Sequence, residues 1–185
     1  MDASLLIIIA VGLFVVFAII QYNKLVRLNI QVDEAFSQIE VQLKRRADLI
    51  PNLVETVKGY AKHEQSTFDA VVAARAKATT ASTVADTAAA DGMLTQALRG
   101  LLAVAEAYPD LKASANFMSL QEELATTENK VAFSRQFYND NVRSLNTAVK
   151  TIPSSFFAGF AKVSEREFYE VEDPQDRNVP NVSFN

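Results

Sequence analysis

The chain has no cysteine, no tryptophan and a single histidine, with only five glycines and five prolines among 185 residues. The missing cysteine excludes disulfides, thiol redox chemistry and a lipid-modified N-terminal cysteine, and it names no compartment. So few glycines and prolines leave too few tight turns for an all-β fold. His63 stands beside Glu64 with no cysteine or second histidine to complete a standard zinc site, and the paired Glu-x-x-His pattern of metal-binding bundles is absent. It is expected on the surface or between helices. There is no basic tract, and a formal charge of −4 speaks against a nucleic-acid partner. No segment has the glycines of a phosphate cradle, so no cofactor is expected. Carboxylates are plentiful, but paired acids need a pocket that helix spacing alone does not define. The chain is therefore not expected to be an enzyme.

What is present begins with residues 3–23, which carry no charge, and within them Leu5 to Ile20 is almost unbroken Leu, Ile, Val, Phe and Ala. Roughly 20 such residues at about 1.5 Å each match a hydrocarbon core of about 30 Å. Leu5, Ile9, Leu13, Phe17 and Ile20 mark this span, and the lipid bilayer is its expected partner. A cleaved secretory signal would need a basic start, a shorter apolar stretch and a small-residue cleavage site. Met1-Asp2 and Ile20-Gln21-Tyr22-Asn23 supply neither end, so the span reads as an uncleaved single-pass anchor. Lys24 and Arg27 follow it closely, with Lys44, Arg45 and Arg46 farther on, which favours a cytoplasmic main domain.

Beyond the anchor the composition is that of helices, rich in Ala, Leu, Glu, Gln, Lys and Arg. Leu25, Leu28, Val32, Phe36, Ile39 and Leu43 fall three and four apart, and the stripe continues through Ile50, Leu53, Val57, Phe68 and Val71. The spacing predicts that the membrane helix runs on to about Arg75 as a long rod, with a kink or short break near Asp48–Ile50 imposed by Pro51 and capped by Asp48. Residues 76–91 lose the large apolar side chains and read as a frayed helix end and a connection. A second helix is expected over 93–108, a corner at Pro109, a third helix over 115–152 closed by Pro153, and a short fourth over 154–163. Phe156, Phe157 and Phe160 on that fourth helix are expected to close the bundle end, the alternative being contact with a neighbour or with lipid. The fold class is all-α: a transmembrane anchor (1–23) continuing into an antiparallel bundle of three to four helices (24–164), then an extended acidic tail (165–185).

The Lys44-Arg45-Arg46 cluster followed by Asp48 lies between Leu43 and Ile50, so at least one of its charges falls near the buried stripe. A charge there needs a partner on the third helix, with Glu123, Glu128 and Asn129 the candidates. Such a cluster, with Arg45, Arg46, Asp48 and Pro51, fixes one alignment of two similar stripes; its alternative role is a hinge or partner site at Pro51.

Tyr22-Asn23-x-Leu25-Val26, the stretch from Val41-Gln42-Leu43-Lys44-Arg45-Arg46-Ala47-Asp48-Leu49-Ile50-Pro51-Asn52-Leu53-Val54 to Gly59-Tyr60-Ala61, and His63-Glu64 closely resemble the LemA family. So do Tyr108-Pro109-x-Leu111-Lys112, Asn116-Phe117, Leu120-Gln121-Glu122-Glu123-Leu124, Thr127-Glu128-Asn129-Lys130 and Tyr138-Asn139. The resemblance implies a bacterial, membrane-associated helical bundle with no catalytic residues or cofactor to carry over. Relatives among membrane-organising proteins of magnetosome-forming bacteria imply a scaffold. Other relatives resemble lipoproteins lying outside the cytoplasm, opposite to the side favoured by the flanking charges. The ending around Glu167-Phe168-Tyr169-Glu170 departs from the family pattern. Two functions are carried forward: a membrane scaffold that forms homo-oligomers, and an adaptor or sensor for a membrane protein such as a protease, bound through the acidic tail or the Pro51 region.

Overall fold

The computed structural model of the protein describes residues 2–170. Among them are six helices and no strand: α1 (Ala3–Lys58), α2 (Gln65–Thr80), α3 (Val84–Glu106), α4 (Pro109–Lys112), α5 (Ala115–Lys150) and α6 (Ser155–Ala158). The acidic tail expected over 165–185 is described only as far as Glu170, and 171–185 lie outside the described residues.

The chain divides into two compact units that share the two long helices. The first gathers the chain up to Gln38 with Ser134–Phe168. Leu25, Val32 and Ala35 of α1 are fully buried in it, as are Tyr138, Val142 and Leu145 of α5. The Phe36 and Tyr138 rings meet at 5.7 Å between centroids. The extended segment after α6 is held here by polar groups. Asn146 acts as a strand partner would, its Nδ2 donating to the Arg166 carbonyl and its Oδ1 accepting from the Arg166 amide, each at 2.9 Å. The Arg166 guanidinium reaches back to α1, 2.6 Å from Asp33 Oδ1 and 3.2 Å from Asn29 Oδ1. The Tyr138 hydroxyl donates to the Glu167 carbonyl at 2.9 Å. The apolar start of α1 is uncovered: Leu5, Ile9, Leu13, Phe17 and Ile20 are all exposed. This helix is long and apolar enough to cross a membrane.

The second unit comprises Ile39–Phe133 and the segment that starts at Tyr169. Its core draws Ile50, Leu53 and Val57 from α1, Phe68 and Val71 from α2, Leu94, Leu98 and Leu101 from α3, Leu111 from α4, and Phe117 and Leu124 from α5. Tyr108, forced out of the helical region by the following proline, sits at φ −119°, ψ 94°, and Pro109 opens α4.

Three expectations are corrected. First, α1 passes Pro51 without a break and ends instead at Lys58, ahead of Gly59. Pro51 is exposed, so its ring faces away from the core, while Ala47, Ile50, Leu53 and Val54 around it are buried. The carbonyl of Ala47, deprived of its helical partner by the proline, accepts instead from Arg75 Nε at 2.8 Å. Asp48 is exposed and has no helix end to cap. Second, residues 76–91 are helix rather than connection: α2 runs to Thr80 and α3 starts at Val84. Thr83 caps α3, its Oγ1 accepting from the Asp86 amide at 3.1 Å. Small residues here bury by close approach: Thr87, Ala88, Ala90 and Asp91 are all buried. Third, the fourth helix shrinks to Ser155–Ala158, and its phenylalanines do not close a core. Phe156 and Phe160 are 68% and 82% exposed.

Candidate functional site

In the second unit the helices converge on one buried charge. Leu25, Val32, Ile39 and Leu53 of α1 fall on a strict seven-residue repeat, and Arg46 occupies the vacant place in it. All four apolar members of that series are 0% exposed and Arg46 is 2% exposed. The seven-residue spacing therefore points the guanidinium inward, where desolvation is prohibitive without counter-charge and hydrogen bonds.

Both arrive. Arg46 Nη1 lies 2.8 Å from Asp91 Oδ1 and donates to Thr95 Oγ1 at 3.1 Å. Arg46 Nη2 lies 2.7 Å from Glu128 Oε2. Asp91 comes from α3 and Glu128 from α5, so one guanidinium fork ties three helices together. The side chain of Asp91 is 1% exposed and that of Glu128 is 40% exposed, so the first pair is dry and the second meets solvent. Thr95 completes its own valence by donating to the Asp91 carbonyl at 2.9 Å. From the segment beyond Phe168, the Tyr169 hydroxyl donates to the other Asp91 oxygen at 3.1 Å, with the Thr87 carbonyl at 3.4 Å. Arg46 Nε and Gln42 Oε1, a donor and an acceptor one helical turn apart, are buried without hydrogen-bond partners.

The structure thus brings Arg46 and Glu128 together and leaves the other sequence candidates outside. Arg45, Asp48, Pro51, Glu123 and Asn129 are exposed, and Glu123 contributes only its carbonyl, to Thr127 Oγ1 at 2.8 Å. Asp91, Thr95 and Tyr169 went unrecognised. Extending the stripe of Leu94, Leu98 and Leu101 backwards by threes and fours meets Asp91 and Thr87, a signal hidden by the small residues between them. Tyr169 has no periodic neighbour to betray it.

Other chemistry is sparse. His63 is exposed, and no group of His, Asp or Glu among the described residues is placed to hold a metal ion. A shallow groove of about 490 Å³ between α2 and α3 is lined mainly by small residues such as Ser66, Ala70, Ala73 and Ala97, with Lys77 its one charge. It contains no paired carboxylates.

A sequence model of the LemA family matches residues 35–184. The chain belongs to the LemA family. The match begins beyond the apolar span and takes in Arg46, Asp91, Glu128 and Tyr169 together. Among similar proteins, Protein LemA of Metamycoplasma hominis is 24% identical over 183 residues, covering 94% of this chain and 84% of its own. Magnetosome protein MamQ of Magnetospirillum gryphiswaldense is 23% identical over 192 residues, covering 90% of this chain and 71% of its own. Magnetosome protein MamQ 2 of Paramagnetospirillum magneticum is 21% identical over 198 residues, covering 93% and 73%. In this LemA-family chain the arginine network joins α1, α3 and α5. Arg46 Nη1 and Nη2 are both directed at carboxylates on other helices, Asp91 of α3 and Glu128 of α5.

Proposed function

We propose that this LemA-family protein is a non-enzymatic scaffold of the bacterial cytoplasmic membrane, anchored by the start of α1 and self-associating into a higher-order assembly. The observation that carries the reading is α1 itself. One helix of 56 residues begins with a run of exposed large apolar side chains and carries buried ones, such as Leu25 and Val32, farther along. Copies held this way share one orientation at the membrane, which raises their effective concentration and favours closed or extended arrays. Kinship with magnetosome proteins supports a role in cellular organisation.

The test is particle mass and shape after gentle detergent extraction, and again after reconstitution into lipid, by electron microscopy with mass determination. Assemblies of many copies are expected in lipid. A particle that stays monomeric in both media would overturn self-association and leave anchoring untouched.

A further inference from the structure

Between the end of α5 and the extended segment, residues 151–161 (Thr151 to Ala161) carry no charge, and Lys150 and Lys162 bracket them. This segment turns back on itself through short-range backbone bonds, Ser155 N to the Thr151 carbonyl at 2.9 Å and Ala161 N to the Phe157 carbonyl at 3.0 Å among them. Its two sides differ. Ser154 and Ala158 are buried, whereas Ile152, Phe156 and Phe160, each four residues from the next, are 75%, 68% and 82% exposed. Three large apolar side chains on one uncharged turn are a costly arrangement in water.

Where the turn is fastened says what covers it. The Phe157 ring meets Phe17 edge-on at 6.1 Å between centroids, and Ser154 Oγ donates to Gln21 Oε1 at 2.9 Å. Both partners belong to the uncharged run of α1. Phe17 precedes Lys24, the first charge after that run, by about 10 Å of helix at ~1.5 Å per residue. An element fastened there lies at the depth of ~5–10 Å reached by helices that lie in the membrane interface. Of its flanking lysines, Lys150 is paired with Glu165 at 2.7 Å, and Lys162 is placed to turn its ammonium group toward lipid headgroups.

We propose that this turn is a second membrane contact: Ile152, Phe156 and Phe160 insert into the leaflet in which the span ends, beside Phe17. This rests on the reading of α1 as a membrane span, and the surface is continuous with that span. The occupant is lipid acyl chain, not a protein partner.

The absence of cysteine lets single cysteines report alone. Full-length variants Phe156→Cys and Phe160→Cys, with references Leu13→Cys in the span and Asp140→Cys on the exposed side of α5, are labelled with bimane. They are reconstituted into phosphatidylethanolamine–phosphatidylglycerol vesicles containing doxyl-labelled phosphatidylcholine. Quenching at 156 and 160 is expected to approach that at 13 and to exceed that at 140 severalfold. Quenching at 13 but not at 156 or 160, with those two labels open to aqueous iodide, overturns the second contact while keeping the anchor. Labels at 156 and 160 shielded from both quenchers would place a second copy there and also overturn it. No lipid quenching at 13 would bring down the anchor and this inference together.

Discussion

Arg46 shows how far a single side chain commits the chain around it. A guanidinium exposed over only 3% of its side-chain surface beside an equally dry Asp91 gains little over a well-packed apolar pair, but removing Asp91 leaves the dry end of the fork with the Thr95 hydroxyl alone and Glu128 as its remaining counter-charge. Asp91→Ala is therefore expected to destabilise the second unit by about 3–5 kcal/mol. Glu128, whose side chain is 40% exposed, holds its end of the fork partly in water, and Glu128→Ala should cost about 1 kcal/mol or less. Replacing the dry pair together, Arg46→Met with Asp91→Leu, should recover most of the loss. Denaturant titrations in detergent, followed by circular dichroism, measure all three, and equal small losses for both single variants would refute the burial argument. Tyr138 makes a different commitment. Burial pushes its phenol above the ordinary value of 10.0; Arg166 opposes the shift, and Glu167 and Asp33 reinforce it. The proton is held more tightly folded than unfolded, so this contribution is complete below pH 10 and is lost as pH rises from there through the folded value. Thermal melts should fall more steeply above pH 10 for the wild type than for Tyr138→Phe. At neutral pH that variant loses only the hydrogen bond to the Glu167 carbonyl, about 1 kcal/mol.

At the level of elements, α1 crosses a proline because another helix repairs the damage. Pro51 removes the donor for the Ala47 carbonyl, and Arg75 of α2 supplies one. The coupling can be read in a double-mutant cycle. Arg75→Met should cost about 1–3 kcal/mol with Pro51 present, because a partly buried carbonyl is left unpaired. With Pro51→Ala the helix regains its own amide, and Arg75→Met should then cost well under 1 kcal/mol. Equal costs in both backgrounds would mean that the guanidinium does not serve the proline's vacancy. The same locus marks the limit of reading from sequence. The stripes of α1 and α5 were legible because large apolar residues recur there at three and four: Leu25, Leu28 and Val32 in one, Phe117, Leu120 and Leu124 in the other. The proline rule foretold a kink or a short break, and α1 continues through Pro51 without a break. The first two turns of α3 were hidden because Thr87, Ala88 and Ala90 bury little area each and pack by closeness. With them went Asp91, and so half of the arginine site, although the need for a carboxylate at Glu128 could be argued from charge alone.

For the whole molecule, the described end of the chain carries weight in both units within a few residues. Arg166 and the Glu167 carbonyl are fixed in the first by Asn146, Asp33 and Tyr138, and Tyr169 joins Asp91 in the second. The residues between the bundle and the tail tip are thus structural, whatever lies beyond them binds. Two truncations separate these roles. Ending the chain after Ser164 removes the Arg166 clamp, strands the Tyr138 hydroxyl and takes the Tyr169 bond from Asp91. At about 1 kcal/mol for each neutral hydrogen bond and 1.5–3 kcal/mol for each charged one, this should cost several kcal/mol and lower the melting temperature by ten degrees or more, on the order expected for a chain of this size. Ending it after Glu170 keeps every one of those contacts and should melt well above the Ser164 truncation. If a membrane protein partner docks on the tail, co-purification is lost in the second truncation with the fold intact. If the tail's work ends with closing the bundle, the second truncation retains the assembly and its partners unchanged. Equal melting temperatures for the two truncations would contradict the assignment of Arg166 and Tyr169 as groups that hold the C-terminal segment.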